Sequence, residues 1–449
     1  MIISRIKAGC RVGFFGLGRS NLSLLSHLPL DKCTLTLRSD TAVDEKSLPH
    51  REKFERIITG DDARRDISED IIFFSPSVRR EGGRLSEAAA QGVAFTSDAE
   101  LFFEQNRTPV FAVTGSDGKS TTATLVHLLL QEGGYKSRLI GNIGEPMWES
   151  CGYVCDFFVC ELSSFMLKYC TPASKRACIT NITPNHLDWH RDLAEYAQCK
   201  RDVGRHTDRL IISDEVPEVG DAYGVISMNK SSDQLRQCYN AKIYMTVEDG
   251  FILKNGRKLI DLSKIRIPHT YNIKNLMMAI AMTDGMVGAE EIMRVGKGFC
   301  GLDHRCRLIL SDDRVDYYDS SIDSTPARTV ETLKSLNRQA VIILGGRGKG
   351  LDYGLLRSAL KKYVKRAVIC GENAEEIYTS VKDATLCEIF HSFNEAVLAG
   401  RSYAREVGVL LLSPASTSFD KFKNYAERGE KFKEILMQGS RDDNNCLQY

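Results

Sequence analysis

A lysine at the head of a helix, directly behind a glycine-bracketed polar turn, is the feature of this chain that points most plainly to chemistry. The stretch FAVTGSDGKSTTATLVHLLL (111–130) is an apolar run, then Gly115, Ser116, Asp117 and Gly118, then Lys119, Ser120 and Thr121 opening an apolar helix. Such a turn aims several backbone N–H groups at one point, and the helix dipole adds partial positive charge there. Lys119 is placed to reach terminal phosphates, and Ser120 or Thr121 to ligate Mg²⁺. The longer phosphate-loop spacing wants a glycine where Val113 stands, so this loop is a shorter form. An ordinary strand–turn–helix junction has no use for Lys-Ser-Thr at the helix start. The stretch predicts ATP binding.

Three further segments put polar groups where a strand gives way to a loop. LIGNIGEP sets Asn142 between two glycines, VCELSSFML puts Glu161 at the end of an apolar strand, and NITPNHLDWH gathers His186, Asp188 and His190. A buried unpaired carboxylate is costly, so Glu161 needs a reason to be there. Each residue alone has a plainer reading as a cap or a surface side chain. Together, at the carboxyl ends of parallel strands, they would converge where α/β sheets bind ligands, and they predict a metal–nucleotide site. Near the amino terminus GFFGLGRSNLSLL invites a dinucleotide reading. Counted from Gly16, its third glycine position is Asn21, and about twenty residues on, where an acid would hold the ribose, stand Arg38 and Ser39. Both departures argue against NAD. Toward the carboxyl end, LGGRGKGLDY puts Lys349 in a glycine turn suited to a carboxylate. LLSPASTSFDKFKNYAERGEKF supplies Ser418 at a hydroxyl-rich turn and Tyr425 on the helix after it.

The elements that must hold these residues repeat one theme three times: a β-branched or aromatic run, a glycine-containing turn, a helical pattern. That rhythm predicts an α/β protein built of mostly parallel sheets. Its 449 residues are too many for one core. Three domains are expected: a Rossmann-like one over 1–97, a central P-loop-type ATPase domain over 98–302, and a second Rossmann-like one over 303–449. A formal net charge of +1 gives no broad field to attract nucleic acid or an acidic membrane. No segment approaches the roughly 20 apolar residues of a membrane span. The amino-terminal apolar run is broken by Gly and Arg and is not read as a signal peptide. The 14 cysteines are scattered; Cys151, Cys155 and Cys160 lack the C-x-x-C pairing of a zinc site, as reduced thiols of a cytoplasmic protein would. A monomer is expected.

TGSDGKST, GNIG, ELSSF, NITPNHLDWH, YAQCK, NIKN, GLDHR, YYDSS, LGGRGKG and LLSPASTSFDKFKNYAERGEKF follow one another almost end to end. In this the chain resembles the Mur ligases, the ATP-dependent amide ligases of bacterial cell-wall precursor synthesis, and most nearly those that join D-glutamate to UDP-N-acetylmuramoyl-L-alanine. The resemblance implies that the γ-phosphoryl group of ATP passes to the substrate carboxylate, and that the amine of the incoming amino acid attacks the acyl phosphate. It implies ATP contacts from Gly115, Ser116, Asp117, Gly118, Lys119, Ser120 and Thr121, with Asn275 and Arg305 near adenine and phosphate and Asp319 near the ribose. It implies catalytic roles for Lys119, Glu161, His186 and Lys200, and two Mg²⁺ ions held by Ser120, Glu161, His186 and Lys200, the last as a carbamate formed with CO₂. Arg19, Ser20, Ser39, Ser75 and Asn142 match contacts to the UDP substrate; Lys349, Ser418 and Tyr425 match the amino-acid pocket.

Two stretches depart from the family pattern. An acid is common in the family where Arg38 stands. The family's D-S-K-A-T-N reads Asp319-Ser320-Ser321-Ile322-Asp323-Ser324, so a lysine has become Ser321 and a threonine that touches the amino-acid carboxylate has become Asp323. Two other readings are weighed. Folylpolyglutamate synthase shares the central machinery but usually has no domain ahead of the phosphate loop, where this chain has a whole α/β block. A nucleotide-binding P-loop regulator would have no use for Lys200, Glu161 and His186.

Overall fold

Strands here read as unbroken apolar runs because helices cover both faces of the sheets they form. Ile71–Phe74 (IIFF), Val110–Thr114 (VFAVT), Ala340–Leu344 (AVIIL) and Val409–Leu412 (VLLL) are buried at every residue, as strands inside a covered parallel sheet must be. The computed structural model describes residues 3–438 apart from 47, 83, 218–220, 266, 268–269, 300 and 349.

Four sheets form among the described residues, three large ones and a two-stranded pair of Ala173–Ser174 with His206–Thr207. Arg56–Thr59, Thr34–Ser39, Arg11–Phe15, Ile71–Phe74 and Ala94–Thr96 lie side by side in that order, all parallel. A nine-stranded sheet runs parallel from Ile243–Glu248 through Gly224–Ile226, Leu210–Ser213, Arg176–Ile179, Val110–Thr114 and Phe157–Glu161 to Ser137–Gly141. Two antiparallel strands, Phe251–Lys254 and Arg257–Asp261, extend its other edge. Their turns are Asp249-Gly250 and Asn255-Gly256, all four residues at positive φ, the backbone that two-residue hairpins demand. The third sheet is parallel from Asp316–Asp319 through Val409–Leu412, Ala340–Leu344 and Val364–Cys370 to Leu386–Phe390, with Arg307–Ser311 antiparallel at its edge. The α/β class and the mostly parallel sheets are as the sequence predicts; the hairpin extension was not foreseen.

The chain divides into two compact units, Met1–Ser263 with Lys274–Val295, and Lys264–Ile273 with Gly296–Tyr449. The first holds the five- and nine-stranded sheets, the second the six-stranded one. Within the nine-stranded sheet, Arg176–Ile179, Val110–Thr114, Phe157–Glu161 and Ser137–Gly141 are parallel neighbours. Their carboxyl ends, and the loops that leave them, therefore share one edge.

Candidate active site

Val110–Thr114 ends in the glycine turn, and Lys119–Glu132 begins the helix behind it. Gly115 and Gly118 have φ of 148° and 76°. Any Cβ at Gly115 would strike the Thr180 hydroxyl, and one at Gly118 would strike Asn275 Oδ1; only glycine lets these neighbours come so near. Asn181 braces the turn: its carbonyl accepts the Ser116 N–H at 3.0 Å, and its Oδ1 accepts the N–H groups of Ser116 (3.0 Å) and Asp117 (2.9 Å). Thr180 Oγ1 donates to the Asp117 carbonyl at 2.5 Å, and the Ser116 and Tyr196 hydroxyls lie 2.7 Å apart. Sequence reasoning missed Thr180, Asn181 and Tyr196. The signal was present: Thr180 and Asn181 directly follow an apolar strand beside Val110–Thr114.

Two lysines meet at this turn. Lys119 Nζ donates to the carbonyls of Gly115 (2.8 Å) and Ser116 (2.6 Å), and Lys200 Nζ donates to the same Gly115 carbonyl at 2.6 Å. Lys200 is buried, 4.6 Å above the Tyr196 ring. Burial first, and then the charge of Lys119, pull its ammonium well below the ordinary lysine range, against the pull of Asp117 and Glu161. Glu161 ends its strand fully buried, with Oε1 accepting from Asn142 Nδ2 at 2.7 Å and Oε2 without a hydrogen bond. Ser120 and Thr121 are buried at the helix start. His186 stands at φ 54° on the exposed part of the next loop, its ring edge-on to Phe165 at 4.9 Å. Asp188 on that loop is exposed, while His190 turns inward to Ser164 at 3.0 Å. Among the described residues no three His, Cys, Asp or Glu side chains converge as a ready-made metal site.

In the five-stranded sheet, Ser75 closes the turn ahead of the helix Arg19–His27. Its hydroxyl donates to the Gly16 carbonyl at 3.1 Å and accepts the Gly18 N–H at 3.4 Å. Asn21, at the missing third glycine, donates to the carbonyls of Gly16 (2.7 Å) and Phe73 (3.1 Å) and ties two strand ends together. Arg19 donates to the carbonyls of Gly141 (2.6 Å) and Gly144 (3.0 Å). Ser20 is half-buried, and the Ser39 hydroxyl caps the Thr41 N–H. In the second unit Asp319 is buried, accepting from the Ser321 N–H at 2.8 Å and pairing with His304 Nδ1 at 2.7 Å. Arg305 beside it is exposed; Ser418 is buried; Tyr425 is 42% exposed, its ring edge-on to His304. Lys349 lies outside the described residues.

Comparison with known proteins decides what this assembly belongs to. Residues 113–283 match the Mur ligase middle domain. Two curated relatives, from Ruminiclostridium cellulolyticum and Acetivibrio thermocellus, are each named UDP-N-acetylmuramoylalanine–D-glutamate ligase. Each is 33% identical, over 95% of this chain and 96% of the relative. The chain belongs to the Mur ligase family. A solved structure with the same fold is the UDP-N-acetylmuramate–alanine ligase of Thermotoga maritima, 18% identical, covering 96% of this chain and 100% of its own, with a TM-score of 0.58. The folylpolyglutamate synthase of the same organism, 10% identical, covers 77% of this chain and 94% of its own, with a TM-score of 0.52.

Both departures from the Mur ligase pattern have a physical account. Arg38 is wholly buried. It donates to both oxygens of Glu69 at 2.8 and 3.1 Å, and to the carbonyls of Ala63, Arg65 and Asp66. It pins the segment 63–69 to the sheet and offers nothing to a ligand. Asp323 is buried in a cage of hydroxyls: its Oδ2 accepts from Thr332 and Ser413, each at 2.7 Å. Burial raises its pKa against those hydrogen bonds. Ser321, where Mur ligases commonly carry lysine, accepts from Nε of the buried Arg428 at 2.9 Å, so a cation stands beside that position after all. Burial draws this guanidinium down to about 10.

Proposed function

We propose that this chain joins D-glutamate to UDP-N-acetylmuramoyl-L-alanine through an acyl phosphate, converting ATP to ADP and phosphate, in peptidoglycan precursor synthesis. The observation that supports it most directly is the meeting of Lys119 and Lys200 at the Gly115 carbonyl, beside a strand-end carboxylate with one buried oxygen unpartnered. Two amines crowded on one carbonyl suit a site that receives a triphosphate.

On this reading Lys119 leaves its carbonyl partners for the β- and γ-phosphates, and the N–H groups at the start of its helix, beyond the two that Asn181 occupies, hold the chain of phosphates in line. The free oxygen of Glu161 and the hydroxyl of Ser120 fit a hard cation, which takes oxygen ligands. Glu161, Ser120, His186 and Lys200 would hold two Mg²⁺ ions, which when bound neutralise the crowded oxygens of two approaching anions. Lys200 joins them as a carbamate: its depressed pKa favours the free amine, the form that adds CO₂ and releases a proton. Asn275 lies against the turn and serves the nucleotide; Arg305 and Asp319 complete its binding. Ser20, Ser39, Ser75 and Asn142, with the turn Gly16–Gly18, serve the UDP end, with no acid at Arg38. Lys349, Ser418 and Tyr425 take the amino acid, with Asp323 sequestered by its hydroxyls.

The lobes follow the boundaries 1–97, 98–302 and 303–449. No helix of the described residues is long and apolar enough to cross a membrane, and the protein works as a cytoplasmic monomer supplying cell-wall growth, cell shape and division. The experiment is phosphate release from ATP with UDP-N-acetylmuramoyl-L-alanine and each candidate amino acid in turn. Turnover is expected with D-glutamate and not without it. Turnover driven by a folate substrate, or indifferent to any amino acid, would overturn the reading.

A further inference from the structure

Arg19 stands directly after the phosphate-type turn of the five-stranded sheet, where a cation would be taken for a diphosphate ligand. Its guanidinium is otherwise engaged: it reaches the carbonyls of Gly141 and Gly144 at 2.6 and 3.0 Å. The loop it grips is closed on itself, with the Gly141 N–H on the Glu145 carbonyl (2.8 Å) and the Glu145 N–H on the Leu139 carbonyl (3.2 Å). The same loop holds Glu161 twice. Asn142 gives its N–H to the Glu161 carbonyl at 3.0 Å and its side-chain amide to Oε1 at 2.7 Å. Gly141 lies so close that a Cβ would collide with the Glu161 carbonyl. At the far end of the loop, Asp98 accepts the N–H groups of Met147 (3.2 Å) and Trp148 (2.7 Å). The loop is thus held at one end by Arg19 of the first sheet and at the other by Asp98 at the head of the helix Asp98–Gln105, and it in turn fixes one oxygen of a carboxylate whose other oxygen is unpartnered.

We infer that Arg19 is a positioning residue for Glu161, acting through the Gly141–Gly144 loop and Asn142, and not a ligand of the nucleotide-sugar diphosphate. This rests on the reading of Glu161 as a Mg²⁺ ligand. Partners that orient a metal's ligands set its affinity even though they never touch it. The amino-terminal sheet therefore contributes to metal binding before any UDP substrate arrives.

The test is Mn²⁺ binding to the full chain with ATP, read by electron paramagnetic resonance in the absence of UDP substrate. Arg19→Met keeps the aliphatic stem of this exposed residue and removes the donors, and a thermal melt checks that the variant is folded. Its Mn²⁺ dissociation constant is expected to rise about tenfold, with Arg19→Lys recovering part of the loss through a single hydrogen bond. Combined with Asn142→Ala, the second substitution should add little, because both act on one path. In Arg19→Met alone, affinity for UDP-N-acetylmuramoyl-L-alanine, measured separately by calorimetry, should move less than about twofold, under about 0.4 kcal/mol. Unchanged Mn²⁺ binding in Arg19→Met, or a loss confined to the UDP substrate, overturns the inference. Glu161→Gln separates the two ideas: if it leaves Mn²⁺ binding intact, the metal reading itself fails. If it abolishes binding while Arg19→Met does nothing, only the role of Arg19 fails.

Discussion

Lys119 and Lys200 share one carbonyl, yet they answer to different tests. Lys119→Ala removes the cation proposed to meet the transferred phosphoryl group, and kcat for acyl-phosphate formation should fall by about 10²–10³, read as ADP release. Lys200→Ala should be inactive and partly recover with formate or acetate standing in for the carbamate oxygens; failure of rescue would count against the carbamate. Stability should move the other way. A lysine whose folded pKa is lowered binds fewer protons in the native than in the unfolded chain, so stability rises with pH between the lowered value and about 10.4. In CO₂-free buffer at neutral pH, Lys200→Met should therefore be more stable than the parent by about 1–2 kcal/mol. Urea denaturation should show that gap closing as pH rises toward 10. The same side chain that is proposed to take up CO₂ costs the protein stability in its absence.

The helix Leu193–Arg201 carries Lys200, and its anchor is Glu195 in the first turn. Burial would raise this carboxyl, but Lys168 at 2.5 Å, the Arg191 N–H at 2.9 Å and the charge of Arg79 hold it at about 2. A depressed carboxyl contributes stability above its unfolded value of about 4.3, and that contribution is lost as pH falls toward 2. Glu195→Gln should be less stable than the parent above pH ~4.5 by a margin that shrinks to little near pH 2, measured by urea midpoints. At the turn, Gly118→Ala would need φ of 76° and a collision with Asn275; a cost of about 1–3 kcal/mol and loss of ATP binding are expected, checked by nucleotide titration. The elements themselves were largely legible. Covered parallel strands announce themselves as runs such as IIFF and AVIIL, and the glycine turn with Lys119 marks its own helix start. The hairpins after Glu248 are equally written, as Asp-Gly and Asn-Gly between apolar runs, although their strands are short beside the parallel units they extend. What no local pattern carries is pairing across distance. That Arg38 would spend its donors on Glu69 and three carbonyls, or that Asp323 would be caged by Thr332 and Ser413, depends on residues brought together only by the fold.

At the scale of the molecule, the two compact units should respond separately to ligands. A ligand at 100 times its dissociation constant adds about 2.7 kcal/mol to whatever it binds. In scanning calorimetry the UDP substrate should raise the transition of the unit built on the five- and nine-stranded sheets. D-Glutamate should act on the other, and a shift of the first unit by D-glutamate alone would contradict the assignment of Ser418 and Tyr425. One feature of the first sheet bears on how the protein could be inhibited. Arg38 is sealed under Glu69, and the neighbouring Asp40 is held by Arg64 at 2.7 and 2.8 Å. A drug-like cation designed to salt-bridge with an acid at the Arg38 position would find no such acid here, and the neighbouring carbonyls of Ala63, Arg65 and Asp66 are already taken. Any inhibitor that depends on such an acid should therefore lose its grip on this enzyme at a single strand end.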